Sequence, residues 1–191
     1  MLKNKLTIFI FLVFSTVFSQ NSTRTTSKFD SVYFYTESSN FYKKNKIYDK
    51  ALENANKAIV FSQQNKSNLD LANSFFNLGL IYIDLKKYDQ AIEVLLRSIS
   101  ILNALEPNSK LALSYYNLGV CYMQKENFSK ADSYFDKANS VYESIDLNGA
   151  KNMISLQKGL LYLEKNQTHI AEQIFNDLAH LPRGKDTFEL Q

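Results

Sequence analysis

The side chains that carry acid–base, nucleophilic or metal chemistry are few in this 191-residue chain. There are two histidines, His169 and His180, and one cysteine, Cys121. No two of them stand at a metal-ligand spacing. His169 falls at an expected helix start and His180 near the final turn, where terminus or surface roles outweigh catalysis. Glu93 and Arg97 lie four apart and read as a solvated helix pair. The glycines fall inside expected helices, so no phosphate-cradling loop is formed. The expectation is a protein that is not an enzyme, with no catalytic residue, metal site or cofactor. What remains is surface, and the elements that build it have to be read first.

Hydrophobic residues make up 45% and charged residues 21%, which fits a folded chain. Five glycines and two prolines are too few for the turns of an all-β domain and suit a helical one. Setting Lys3 and Lys5 aside from the 22 basic residues leaves 20 against 19 acidic ones. That balance supplies no counterion-release term, so nucleic acid is not an expected partner. A single cysteine permits no internal disulfide.

Residues 1–19 read as a signal peptide. Lys3 and Lys5 give a positive start, Leu6 to Phe14 is apolar apart from Thr7, and Ser19 is a small exit residue. The apolar centre is short of the roughly 20 residues that span a bilayer. Cleavage between Ser19 and Gln20 is expected, giving a periplasmic or secreted protein; an uncleaved anchor is the alternative. Residues 20–28 are polar, rich in Ser and Thr, and read as a flexible lead-in. No later segment is apolar enough to span a membrane.

Beyond the leader the chain repeats itself. Gly79, Gly119 and Gly159 are spaced by 40, each followed three residues on by a tyrosine: Tyr82, Tyr122 and Tyr162. One period earlier stand Ser39 and Tyr42. Ala51, Ala91, Ala131 and Ala171 keep the same interval, and four residues after each come Ala55, Leu95, Phe135 and Phe175. Cys121 shares a column with Ile81 and Leu161 and reads as a core thiol. Leu71, Phe75, Leu78 and Tyr82 draw one face of a first helix. Lys86-Lys87-Tyr88 makes a turn, Asp89 suits a helix start, and Ala91, Val94, Leu95, Ser98, Ile99 and Leu102 draw the face of a second. Polar stretches at Gln63–Asp70, Glu106–Lys110 and Ile145–Gly149 separate the periods, with Pro107 and Gly149 as stops. A mid-helix glycine costs about 1 kcal/mol against alanine, so Gly79 and Ala91 are expected to gain close helix approach within a pair. A single pair cannot bury its outer face alone, so pairs must stack.

These columns resemble tetratricopeptide repeats: Asn77-Leu78-Gly79 with Tyr82, Ala91 and Leu95; Asn117-Leu118-Gly119 with Tyr122, Ala131, Phe135 and Ala138; and Lys87-Tyr88-Asp89-Gln90-Ala91. The period of 40 in place of 34 resembles the long-repeat branch of that family. The resemblance implies an all-α fold, an α-solenoid of about four antiparallel helix pairs in a right-handed superhelix. The pairs are expected at 29–68, 69–108, 109–148 and 149–181, with a tail at 182–191. The first lacks the glycine, and the fourth has Lys158 where Leu78 and Leu118 stand.

In this family the first helix of each pair usually lines a groove for a peptide or partner helix. By register the groove holds Asn73, Phe76, Asn77, Leu80 and Ile83, then Leu113, Tyr116, Asn117, Val120 and Met123, then Met153, Leu156, Gln157, Leu160 and Leu163. The first pair contributes Tyr33, Thr36, Glu37 and Asn40. Asn77, Asn117 and Gln157 form a ladder of amides that can pair with any peptide main chain, over an apolar floor. The same columns also read as packing positions typical of the family. The clamp columns of chaperone-tail binders, Lys or Arg in that branch, hold Tyr33, Asn73, Leu113 and Met153 here.

No capping helix is visible after Leu181, so either the last pair is exposed and used for self-association, or the chain is a fragment of something longer. Two functions follow: an exported scaffold that binds a peptide or partner protein, or the periplasmic input region of a signal-transduction regulator whose membrane and output parts lie elsewhere.

Overall fold

The computed structural model describes residues 26–180. The expected leader and the tail at 182–191 lie outside the described residues. Within them the chain is all-α, with eight α-helices and no strand. The helices are α1 Thr26–Lys44, α2 Tyr48–Asn65, α3 Asn68–Asp84, α4 Tyr88–Leu102, α5 Ser109–Gln124, α6 Phe128–Ser144, α7 Lys151–Glu164 and α8 Thr168–Ala179, and a single 3₁₀ turn at Asn148–Ala150 precedes α7. α1 starts inside the expected lead-in, and α2 runs on to Asn65 through part of the expected Gln63–Asp70 break.

The chain divides after Ser67 into two compact units, the first holding α1 and α2, the second α3 to α8. α1 packs on α2 in the first. In the second, α3 packs on α4, α5 on α6 and α7 on α8, and each pair also packs on the next. Three-residue turns join the helices of each pair, which forces them antiparallel.

These turns share one construction. Lys46, Lys86, Glu126 and Asn166 are left-handed, with φ of 59°, 57°, 58° and 57°. After α3 the Lys86 amide donates to the Ile83 carbonyl and the Lys87 amide to the Tyr82 carbonyl, both at 2.8 Å. That pair of bonds is the Schellman arrangement, which usually places glycine at the left-handed position. Lys66 and Asp146 repeat it between pairs, with φ of 55° at each. Gly149, expected as a helix stop, has no positive φ and lies in the 3₁₀ turn.

The second helices begin one residue before Asp49, Asp89 and Ser129. Asp89 therefore sits in the first turn of α4, not at its cap, and the cap residue Lys87 gives no side-chain bond. Asp89 pairs instead with Lys125 at the end of α5. The side-chain caps are asparagines: Asn108 accepts from the Leu111 amide at 3.1 Å and Asn127 from the Lys130 amide at 3.2 Å.

The repeat glycines are closed on by the large side chain of the partner helix. A Cβ on Gly79 would stand 2.9 Å from the Leu95 side chain, one on Gly119 2.6 Å from the Phe135 ring, and one on Gly159 2.4 Å from the Phe175 ring. Each glycine thus makes room for the side chain 16 residues on, while Ala91, Ala131 and Ala171 are buried beside it. The first pair reaches the same packing by exchange. Ser39 fills the glycine column, buried and donating to the Ala51 carbonyl at 2.9 Å, and the large column carries only Ala55. Volume moves from one helix to the other and the pair still closes.

Candidate partner-binding surface

α3, α5 and α7 carry the columns expected to line the groove. They do not form a uniform floor. Phe76 is only 4% exposed and belongs to the core with Leu95, Ile99 and Leu102 of α4 and Leu111, Leu118 and Cys121 of α5. Leu80 and Ile83 pack half-buried on the same cluster. One repeat on, Tyr116, Val120 and Met123 pack half-buried on a second cluster formed by Phe135, Ala138 and Tyr142 with Ile154 and Leu161 of α7. Much of the apolar floor is therefore engaged in the junction between successive pairs. It opens only at α7, where Met153, Leu156, Leu160 and Leu163 are all exposed.

The amides are placed unequally. Asn73, Asn77, Asn117 and Gln157 are all partly exposed. Asn117 turns back on its own helix, its Nδ2 donating to the Leu113 carbonyl at 2.7 Å. Gln157 bonds the Tyr116 hydroxyl across the pair junction. Burial pushes the Tyr116 hydroxyl above its ordinary pKa, and the Gln157 bond pulls the other way. Asn77 is half-buried and has no hydrogen-bond partner among the described residues. Beside it, Lys110 holds its ammonium 4.4 Å from the centre of the Phe76 ring, and burial draws that lysine below its usual pKa. In the first pair, Tyr33 and Glu37 are exposed and Thr36 and Asn40 half-buried on α1.

The repeat-signature residues are interior. Ala91, Ala131 and Ala171 are fully covered, and Tyr82, Tyr122 and Tyr162 are half-buried. Tyr122 stacks on Tyr134 at 5.4 Å with the rings 4° from parallel. Cys121 is fully buried, and burial raises its thiol to about 12. Such a thiol carries no thiolate near neutrality. Among the described residues no group of three His, Cys, Asp or Glu side chains is placed to hold a metal. No described helix is long and apolar enough to cross a membrane.

One polar cluster was hidden from the sequence. Lys158, standing in the Leu78 and Leu118 column, reaches Asp132 at 3.0 Å and Asp136 at 2.6 Å on α6, and the Tyr162 hydroxyl donates to Asp132 at 3.1 Å. Burial lowers the Lys158 ammonium, but the two carboxylates more than offset it and leave the pKa raised. The signal was present as an acid pair four apart on α6, facing a lysine in an apolar column. A cleft of 780 Å³ runs along α6 beside this cluster, lined by Tyr115, Asp132, Asp136, Lys137 and Lys165 among others.

Stacked helix pairs closed by a glycine against a large side chain define a tetratricopeptide-type solenoid. The tetratricopeptide repeat family model matches residues 70–144, which span α3 to α6. The fold is similar to that of aspartyl phosphate phosphatase F from Bacillus subtilis, with a TM-score of 0.74 at 18% identity over 80% of this chain and 40% of that one. It is also similar to the Rap conjugation gene regulator of the plasmid pLS20 in complex with the Phr* peptide, at 0.67 and 16% over 78% of this chain and 41% of that one. The kinesin light chain TPR-like repeats of Podosopora anserina match at 0.67 and 14%, over 86% and 81% of the two chains. The chain thus spans less than half the length of the first two of these proteins. No curated protein matches the sequence.

Proposed function

We propose that this protein is a non-enzymatic scaffold, a long-repeat member of the tetratricopeptide class, which holds an extended peptide or a partner's strand-like segment against α3 and α5. The amide of Asn77, half-buried and without a hydrogen-bond partner among the described residues, carries the reading. A main-chain N–H and C=O need one acceptor and one donor at one point, and an unengaged asparagine offers both. Asn73 stands one turn before it, and half-buried Leu80, Ile83, Tyr116 and Val120 flank it as shallow apolar contacts. Support also comes from a protein of the same fold, the pLS20 Rap regulator, whose structure includes a peptide.

The three amides are not equivalent in this reading. Asn77 makes the main contact. Asn117 keeps one amide hydrogen on Leu113, and Gln157 serves chiefly to hold Tyr116. Peptides selected from a displayed random library against the protein test this directly. Asn77→Ala is expected to weaken a selected peptide by about tenfold, the worth of one to two net hydrogen bonds, and Asn117→Ala by less. Equal affinity of Asn77→Ala and the parent for every selected peptide would remove the amide from the site.

A further inference from the structure

Two successive helix pairs of the second unit differ at one place in the volume their columns supply. Between α5 and α6 three tyrosine rings stand in a row. Tyr115 stacks on Tyr134 with centroids 6.2 Å apart, and Tyr134 on Tyr122 at 5.4 Å. All three pack half-buried on the cluster that holds Ile99 of α4 and Leu118 of α5. Forty residues on, the same columns hold Ser155, Ile174 and Tyr162. Two of the three rings are gone. A cavity of 380 Å³ stands among α6, α7 and α8, and Ser155, Ile174 and Tyr162 all line it. Its other walls keep the register as well. Ile154 and Lys158 follow Ser114 and Leu118 at the same interval, and Asn139 follows Ile99.

The space left by the two rings is apolar at its base and charged at its edge. Ile154 is covered to within 2%, but Ile170 on the same wall stays 40% exposed, apolar surface that a ring would take from water. At the edge, Lys158 is held by Asp136 at 2.6 Å and Asp132 at 3.0 Å, so the three groups carry one net negative charge. We propose that this cavity binds a planar aromatic ring bearing a hydroxyl or amino donor, in the space that tyrosine rings fill one repeat earlier. The ring lies beside Ser155, against Ile154, Ile174 and the Tyr162 ring. Asp136 has one oxygen on Lys158 and uses the other to accept the ligand's donor. An aromatic acid is disfavoured by the net charge of the edge. The volume falls in the range of small-ligand sites, about 300–1,000 Å³. The site is on α6 to α8 and leaves Asn77 free, so it stands independently of peptide binding on α3 and α5.

The test titrates p-cresol, p-toluate and N-acetyltyrosinamide separately into the full chain while amide NMR spectra are recorded. The expected result is that p-cresol shifts Ser155, Tyr162, Ile170 and Ile174, and that p-toluate binds about tenfold more weakly. Ser155→Tyr with Ile174→Tyr rebuilds the missing rings and is expected to abolish the p-cresol shifts while helical circular dichroism is kept. Shifts by N-acetyltyrosinamide at the same amides would assign the ring to a partner's side chain. Their absence, with p-cresol bound, would assign it to a free small molecule. A parent that does not bind p-cresol, p-cresol shifts lying outside α6 to α8, or equal affinity for p-toluate would overturn the proposal, and these three readouts need no variant. So would p-cresol shifts that survive in the folded double variant.

Discussion

At the scale of single residues, the close contact inside each pair is set by one missing Cβ. Gly119 lies against the fully buried Phe135 ring, and an added Cβ would stand 2.6 Å away. The ring is rigid and enclosed, so it cannot withdraw cheaply. Gly119→Ala gains about 1 kcal/mol of helix propensity but incurs overpacking of about 1–3 kcal/mol, and the expected outcome in urea denaturation is a net loss. Adding Phe135→Leu to the same chain should recover part of it, because Leu95 shows that column accepting leucine. A second residue-scale prediction concerns the turns. Lys86 holds φ at 57°, a conformation that costs a side-chain-bearing residue about 1–2 kcal/mol. Glycine has no such cost but loses more freedom on folding, by about 0.5–1 kcal/mol. Lys86→Gly is therefore expected to raise the urea midpoint modestly, and an unchanged or lowered midpoint would contradict the turn geometry.

At the scale of elements, α7 differs from α5 in how it meets its predecessor. Where α5 offers Leu118 to the core, α7 offers Lys158, which is held between Asp132 and Asp136. The lysine and Asp132 are about three-quarters covered, so removing one partner leaves a poorly hydrated charge behind. Fully buried pairs lose about 3–5 kcal/mol in that way and exposed ones less than about 1. Lys158→Met is expected to fall between, at about 1–2 kcal/mol, and to speed amide exchange in α7 and α8 before α5 and α6. Adding Asp132→Asn should recover part of the loss, and strict additivity of the two changes would show that the groups do not interact.

Helix pairs and their period were legible because glycine, tyrosine and alanine recur in fixed columns and the turns are short. The use of each column was less so. A first helix in a stack has two covered flanks, one against its own partner helix and one against the neighbouring pairs, and apolar side chains serve both. Phe76 and Leu80 stand in columns that read as groove floor or as packing, and both pack on the cluster shared with α4 and α5, Phe76 fully and Leu80 in part. Asp89 lies in the first turn of α4, where a negative charge suits the helix start, and Asn108 and Asn127 supply the side-chain caps. The Lys158 cluster needed a lysine and two aspartates more than 20 residues apart to be brought together, which no local pattern states.

At the scale of the whole molecule, the described residues present an amide-bearing face on first helices and a polar cleft along α6. We propose that the partner sits on the first. That assignment is tested most directly by recording amide NMR spectra of the protein while a library-selected peptide is titrated in. The prediction is that shifts concentrate on Asn73, Asn77, Leu80, Tyr116 and Val120, and that Asn77→Ala needs about tenfold more peptide to reach them. Shifts centred instead on Asp132, Lys137 and Lys165 along α6 would contradict it.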